Sequence, residues 1–136
     1  MSTPIVIDAS AGVELVARTE RGNRLRELIP ADAVPWVPDG LFDVEVGSVL
    51  RRWDLNAVLD AAQMEAALLR LRSWPVRRAS VRALHDTAWL LRHNMSYGDA
   101  VYVALAQRLV GAMLTDDHKL ANAPTLTVPV LTLPDA

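Results

Sequence analysis

The sequence predicts an α/β fold in which a parallel sheet is flanked by helices. Two observations support this prediction: short β-branched or apolar runs recur along the 136 residues, and helical spacing of apolar residues separates them. Strands that alternate with helices favour a parallel sheet, because parallel neighbours need a crossover connection. With 51% hydrophobic residues, the chain is expected to form one domain, residues 1–136, with its own core.

The predicted elements follow one another in a regular order. The strand candidates are PIVID, AVPWVP, PVRRAS, AMLT and TVPVLTL. Pro129 in the last run predicts an edge strand, and prolines also weaken the AVPWVP prediction. Helical spacing covers the segments between the runs. The helix in SYGDAVYVALAQRLVG is apolar almost all round, so it is expected to be central and buried.

Composition excludes several classes of protein. The formal net charge of −2 argues against a generally basic nucleic-acid-binding surface, although all the cations except Lys119 are arginines, which suit phosphate pairing. The absence of cysteine excludes disulfides and cysteine zinc sites. The first apolar run, residues 5–7, is far too short for a signal peptide or membrane span. A soluble, cytoplasmic protein without membrane contact is therefore expected.

Acidic residues follow two of the predicted strands directly. Asp8 ends the PIVID run, and Asp116 and Asp117 follow AMLT. Asp99 lies in the first turn of the predicted buried helix, and Glu45 lies in the helix after the second strand. In parallel α/β folds, ligands bind at the carboxyl ends of the strands. The sequence therefore predicts that separated acids converge at one edge of the sheet.

Each acid also has a simpler interpretation. Asp8 can prepare a helix N-terminus, and Asp99 fits the S-x-x-D capping pattern. Glu45 alone is typical of a solvated helix, and Asp116 with Asp117 is typical of a turn and an N-cap. On an otherwise apolar helix, however, an unpaired Asp99 would be costly.

Taken together, the acids favour a metal site. Carboxylates that are pressed together raise one another's pKa unless a cation neutralises them. Oxygen-rich sites without cysteine suit Mg²⁺ or Mn²⁺. Two such ions about 3.5–4 Å apart can activate water and stabilise the leaving oxygen in phosphodiester hydrolysis.

Four segments carry a family resemblance over nearly the whole chain. IVIDASAGVELV, DVEVGSVLRR, SYGDAVYVALA and LTDDHKLANA resemble, in order, the four motifs of PIN-domain ribonucleases of the VapC toxin type. The resemblance implies a parallel sheet of about five strands flanked by helices. It also implies a metal-dependent endoribonuclease, the toxin of a type II toxin–antitoxin pair, that cleaves RNA by two-metal hydrolysis. The implied partners are an RNA substrate, with tRNA among the candidates, a cognate VapB-like antitoxin and a second copy in a homodimer.

The resemblance also implies roles for individual residues. The acids that match the catalytic and metal-binding positions are Asp8, Glu45, Asp99 and Asp117. Ser10 and Thr115 match hydroxyl residues that support the acids by hydrogen bonds. Asp116 is the variable neighbour, expected to support the site, to contact metal occasionally or to be a turn residue. Gly98 departs from the pattern, because many relatives have tyrosine directly before the aspartate.

Basic and aromatic residues allow further interpretations. Arg51 and Arg52 follow Glu45 by about two turns and either contact the RNA backbone or form a solvated face. A second basic set either lines the substrate groove or pairs with an acidic antitoxin segment; its members are Arg77, Arg78, Arg82, Arg92 and His93. The four tryptophans are expected to serve packing, with Trp53 and Trp74 bordering an apolar groove for an antitoxin helix.

Two rival functions remain open at this point. Asp8 at the end of the first strand also suits a phospho-aspartate phosphatase-like enzyme, but that class has a second aspartate where this chain has Ser10. The other rival is a non-catalytic, metal-binding α/β module for protein interaction, which would bind one structural Mg²⁺ without nuclease activity.

Overall fold

The computed structural model describes residues 3–123 and 126–134. Their strands form one five-stranded sheet in the order β3-β2-β1-β4-β5, and every pairing is parallel. The strands are β1 (Thr3–Ile7), β2 (Ala33–Pro38), β3 (Arg77–Ala79), β4 (Ala112–Leu114) and β5 (Val130–Leu131). The prediction of a parallel sheet is confirmed.

Helices occupy the connections between the strands. They are α1 (Ala9–Ala17), α2 (Glu20–Glu27), α3 (Leu41–Leu55), α4 (Ala61–Ser73), α5 (Val81–Leu90), α6 (Tyr97–Leu109) and α7 (His118–Ala121). Within the described residues, no helix has the length and apolar character needed to cross a membrane.

The strand order reverses at the centre of the sheet. The chain adds β2 and β3 on one side of β1, then crosses through α5 and α6 to place β4 and β5 on the other side. The carboxyl ends of β1 and β4 therefore form a topological switch point, where α/β proteins bind ligands. Asp8 donates its backbone N–H to the carbonyl of Leu114 at 3.1 Å, so the two strand ends are joined at this point.

Helix α6 is confirmed as the central buried helix. Seven consecutive residues, from Ala100 to Ala106, are buried. It packs against the sheet beside β1, whose Ile5, Val6 and Ile7 are also buried. Because residues on every side of the helix are covered, Asp99 in its first turn has a fixed position at the sheet edge.

Close contacts between helices orient α3. A Cβ added to Gly12 of α1 would lie 2.5 Å from the ring of Phe42, so only glycine lets α1 approach α3 so closely. Phe42 is fully buried and lies one turn before Glu45. The packing of α1 on α3 therefore helps to set where Glu45 enters the site.

Prolines affect the two sides of the sheet differently. β2 lies between β1 and β3 although it contains Pro35 and Pro38, which were expected to weaken it. β5 is an edge strand, as Pro129 predicts, but only two residues of the TVPVLTL run are extended. The carbonyl of Pro129 helps to pair β5 with β4, because it accepts a hydrogen bond from the N–H of Met113 at 2.9 Å.

Candidate functional site

A buried carboxylate at the switch point organises the site. Asp8 is 4% exposed and caps α1, with Oδ1 accepting hydrogen bonds from the N–H of Ala11 at 3.0 Å and the hydroxyl of Ser10 at 2.7 Å. The hydroxyl of Thr115, which follows β4, donates to Oδ2. Asp8 therefore caps α1, as its simpler interpretation predicts. Its side chain also links the end of β1 to the residue that follows β4.

The same two hydroxyls fix the loop after β4. The Oγ of Ser10 accepts a hydrogen bond from the N–H of Asp116 at 2.9 Å. The Oγ1 of Thr115 accepts one from the N–H of Asp117 at 3.0 Å. The Oγ of Ser10 and the Oγ1 of Thr115 also lie 3.2 Å apart, within hydrogen-bond distance. Both hydroxyls thus hold Asp8 and the loop that carries the aspartate pair in one network.

The two adjacent aspartates have different partners. Asp117 caps the short helix α7, and its Oδ1 accepts hydrogen bonds from the N–H groups of Lys119 at 3.0 Å and Leu120 at 3.2 Å. Asp116 forms a two-pronged ion pair with Arg21 of α2, at 2.8 Å to Nε and 2.5 Å to Nη2. Asp116 was expected to support the site, to contact metal or to be a turn residue. Its ion pair with Arg21 is a contact that supports the loop after β4.

Glu45 is held by a buried tyrosine of α6. The Tyr102 hydroxyl donates to Oε1 of Glu45 at 2.8 Å, and Tyr102 is 2% exposed. A Cβ at Gly98 would lie 3.4 Å from Oε2 of the same carboxylate. The glycine that departs from the family pattern therefore leaves room beside Glu45, one residue before Asp99.

Sequence reasoning missed Arg21 and Tyr102. Tyr102 lies one helical turn after Asp99, which is a spacing that places both on one side of α6. That signal was present in the sequence. Arg21 carried no local signal, because its partner Asp116 is 95 residues away.

The acids interact through their charges. Burial is the main cause that raises the pKa of Asp8 to about 6; hydrogen bonds from Thr115, Ala11 and Ser10 oppose the shift, and the charge of Asp99 adds to it. The pKa of Asp99 is also raised, first by burial and then by the charge of Asp117, while the Ser96 hydroxyl and Lys119 oppose the shift. Asp8, Asp99 and Asp117 are thus electrostatically linked.

Glu45 is connected to this group through Tyr102. Burial raises the pKa of Tyr102 far above its ordinary value, and the charges of Glu45 and Asp8 raise it further. The tyrosine therefore stays protonated at neutral pH and can donate its hydrogen bond to Glu45. Both carboxylates lie close enough to act on the same phenol.

The carboxylates do not form a closed set of metal ligands in this arrangement. Across residues 3–123 and 126–134, no group of three acidic or histidine side chains is close enough together to hold a metal ion. Asp8 is engaged by hydroxyls, Glu45 by Tyr102 and Asp117 by the N-terminus of α7. Each of these acids is thus held in place by protein donors at the edge of the sheet.

The two arginines predicted to contact RNA, Arg51 and Arg52, both lie on α3. Arg51 lines a cavity of about 500 Å³ between α3 and α4 that also includes Asp54 and Glu65. Arg52 is exposed on α3. Within the described part of the chain, no hydrogen bond or ion pair joins either arginine to the four acids.

Comparison with known proteins identifies the family. The sequence profile of the PIN domain matches residues 5–126. Ribonuclease VapC3 of Mycobacterium tuberculosis is 38% identical over 120 residues, which cover 88% of this chain and 86% of the relative. The VapC ribonuclease Mb0985 of Mycobacterium bovis is 37% identical over 130 residues, covering 96% and 98% of the two chains.

Solved structures share the fold at low sequence identity. VapBC2 from Rickettsia felis, bound to a DNA fragment from its promoter, has a TM-score of 0.62 at 9% identity, with 95% and 98% of the two chains covered. VapC20 of Mycobacterium tuberculosis, a toxin that cleaves the sarcin-ricin loop, has a TM-score of 0.61 at 23% identity, with 86% and 92% covered. With the sequence relatives, these findings place the chain in the PIN-domain family, among the VapC ribonucleases.

Proposed function

We propose that this VapC ribonuclease hydrolyses RNA at a Mg²⁺ or Mn²⁺ site formed by Asp8, Glu45, Asp99 and Asp117. The observation that supports the proposal most strongly is that Asp8 and Asp117 both follow the carboxyl ends of central strands, where the Thr115 hydroxyl bonds to the Asp8 carboxylate and to the N–H of Asp117. Glu45 joins them through Tyr102, which responds to the charges of both Glu45 and Asp8. The four acids come from separate parts of the chain: Asp8 follows β1, Glu45 lies in α3, Asp99 lies in α6 and Asp117 follows β4.

The donor atoms fit a hard divalent cation. All four side chains offer carboxylate oxygens, which suit Mg²⁺ and Mn²⁺. The pKa values of Asp8 and Asp99 are raised first by burial, which disfavours the charged carboxylates, and a bound cation would favour those charged forms. A bound ion supplies a Lewis acid that polarises the phosphodiester and activates water.

The remaining residues position these acids. Ser10 and Thr115 hold both oxygens of Asp8, and Tyr102 holds one oxygen of Glu45. The ion pair of Arg21 with Asp116 fixes the loop from which Asp117 projects. Such partners orient the carboxylates before RNA binds, so that less reorganisation is needed during the reaction.

The proposed protein partner is a cognate VapB-like antitoxin. A cavity of about 370 Å³ has an apolar lining that includes Leu15 of α1, Ile29 after α2 and Trp74 after α4; Trp53, which was predicted to border the same groove, is not part of this lining. Three arginines also line it, namely Arg18, Arg26 and Arg70. The mixture of apolar wall and positive charge suits an antitoxin segment that carries both apolar and acidic residues.

Self-association and the choice of RNA belong to the same proposal. Exposed apolar side chains on and just after α3, including Val44, Leu55 and Val58, are consistent with a homodimer interface. A tRNA is one candidate substrate, alongside ribosomal and messenger RNA. The size of the purified protein in solution and the cleavage pattern on total RNA would decide the two points.

The central test is cleavage of RNA by the purified protein free of antitoxin, with Mn²⁺. We expect cleavage that EDTA abolishes and that Asp99→Asn lowers by at least about 100-fold, because a ligand is at least as important as its supporting contacts. Asp54→Asn, at an exposed acid on α3, is the matched control and should cleave normally. Cleavage that survives both EDTA and Asp99→Asn, or no cleavage by the wild type under any metal condition, would contradict the proposal.

A second prediction concerns the tyrosine beneath Glu45. Tyr102→Phe keeps the buried ring but removes the hydrogen bond to Oε1, so Glu45 loses its fixed orientation. We expect the Mn²⁺ concentration for half-maximal cleavage to rise about 10- to 100-fold. Thermal unfolding checks that the variant is folded. An unchanged metal dependence in a folded variant would show that the tyrosine does not position Glu45.

A third prediction uses the charge of Asp8 and needs no RNA. Because the folded-state pKa of Asp8 is about 6, above its ordinary value of 3.8, the folded state holds this proton more tightly than the unfolded state. The free energy of unfolding in EDTA should therefore fall as pH rises from about 4 to about 6. Asp8→Asn should remove this part of the fall and be more stable at pH 7, on the order of 1–3 kcal/mol.

Denaturant unfolding of both proteins across that pH range measures the difference. Asp54→Asn, which removes an exposed charge, should follow the wild type. Added Mn²⁺ should stabilise the wild type at pH 7 more than it stabilises Asp8→Asn. If the free energy of unfolding had the same pH dependence in the wild type and in Asp8→Asn, the pKa of Asp8 would not be raised in the folded state.

A further inference from the structure

Three aromatic rings form a cluster where α5 meets the start of α6. The cluster consists of His85 and Trp89 of α5 and Tyr97 of α6, with ring centroids 5.8 to 6.4 Å apart. The hydroxyl of Tyr97 lies 2.5 Å from Nδ1 of His85, which fixes the two side chains together. The rings therefore form an ordered surface.

This aromatic cluster adjoins the acidic site. Tyr97 is the first residue of α6 and lies two residues before Asp99. Between them, Gly98 adjoins the carboxylate of Glu45. The first turn of α6 thus carries Asp99 and one ring of the cluster. An RNA strand whose phosphodiester reaches the acids has neighbouring nucleotides within reach of the rings.

The cluster is exposed and flanked by positive charge. Trp89 is 51% exposed, although tryptophans were expected to serve packing. The guanidinium of Arg92, which follows α5, lies 4.8 Å from the centre of the Trp89 ring. Arg82 is exposed on α5. Asp86 is the acidic residue of α5 and is also exposed. Exposed aromatic rings beside arginines are the surface that unpaired nucleotides bind.

We propose that Trp89, supported by His85 and Tyr97, stacks against an unpaired base next to the phosphodiester that is cleaved. This inference rests on the proposed function and specifies the substrate: the RNA must be single-stranded or looped there, because bases in a duplex are already stacked on their neighbours. The guanidinium of Arg92 lies over the ring and donates to the Trp89 carbonyl at 2.8 Å, so the base would take its place on the ring as Arg92 pairs with the adjoining phosphate. Trp89 is therefore a positioning residue for substrate and does not take part in the chemistry.

A second copy of the chain is a weaker match for this surface. A symmetric interface would bring the same patch of each copy together, and with it Arg82 and Arg92 of both copies. The exposed Leu90 beside the cluster would favour such contact, but the arginines would repel each other. An RNA strand supplies phosphates that pair with the arginines and bases that stack on the aromatic rings, so it suits both parts of the surface.

Binding of a labelled single-stranded RNA of about twelve nucleotides, measured by fluorescence anisotropy in EDTA, tests the inference without cleavage. We expect Trp89→Ala to weaken binding about five- to 150-fold, and Trp89→Phe to retain most of the affinity. Leu69→Ala, which removes an equally exposed apolar side chain from α4, is the control and should bind normally. With Mn²⁺, Trp89→Ala should raise KM and leave kcat within about twofold of the wild type.

RNAs with a single abasic position identify the stacked base. One such position should weaken binding to the wild type and cause no further loss in Trp89→Ala. Affinity and KM unchanged in Trp89→Ala would overturn the inference while cleavage by the wild type upheld the proposed function. Binding that depends on Trp89 without cleavage under any metal condition would support the inference and overturn the proposed function. Loss of self-association in Trp89→Ala with normal RNA binding would show instead that the cluster joins two copies.

Discussion

The site depends on one buried carboxylate and the hydroxyls that hold it. Asp8 ends the central strand and accepts hydrogen bonds from Ser10 and Thr115, so the ends of β1 and β4 are bound to each other through its side chain. The same hydroxyls accept hydrogen bonds from the N–H groups of the loop after β4. Together with the backbone pairing of β1 and β4, this network sets the position of Asp117 relative to Asp8.

This arrangement places folding and function in opposition. Burial and neighbouring charge raise the pKa of Asp8, so its ionised form is costly to the metal-free fold. Burial of the apolar core around α6 and β1 stabilises the fold and offsets the cost of burying this charge. A divalent cation would relieve it, and metal binding would then stabilise the protein as well as enable hydrolysis. The proposed metal site would thus offset a cost in stability that the metal-free fold carries at Asp8.

The sequence predicted the strands, the helices and the positions of Asp8 and Asp117 at strand ends, because all of these rest on local patterns. Asp8 and Asp117 directly follow apolar runs, and a parallel sheet brings such strand ends to one edge. Partnerships between distant segments left no local pattern: Arg21 pairs with Asp116 across 95 residues, and Trp89 joins Tyr97 only when α5 packs on α6. Arg51 was predicted to contact RNA from helical spacing alone, and its contact with RNA stays a prediction; in the structure it lines a cavity between α3 and α4.

The most direct test of the account is a crystal structure with Mn²⁺, in which anomalous scattering locates the ion. The account predicts an ion at the carboxyl ends of β1 and β4, with Asp8 and Asp99 among its ligands and Glu45 and Asp117 beside it. The number of anomalous peaks would show whether one or two ions bind. Manganese bound only at Asp116, or absent from the four acids at saturating concentration, would contradict the account.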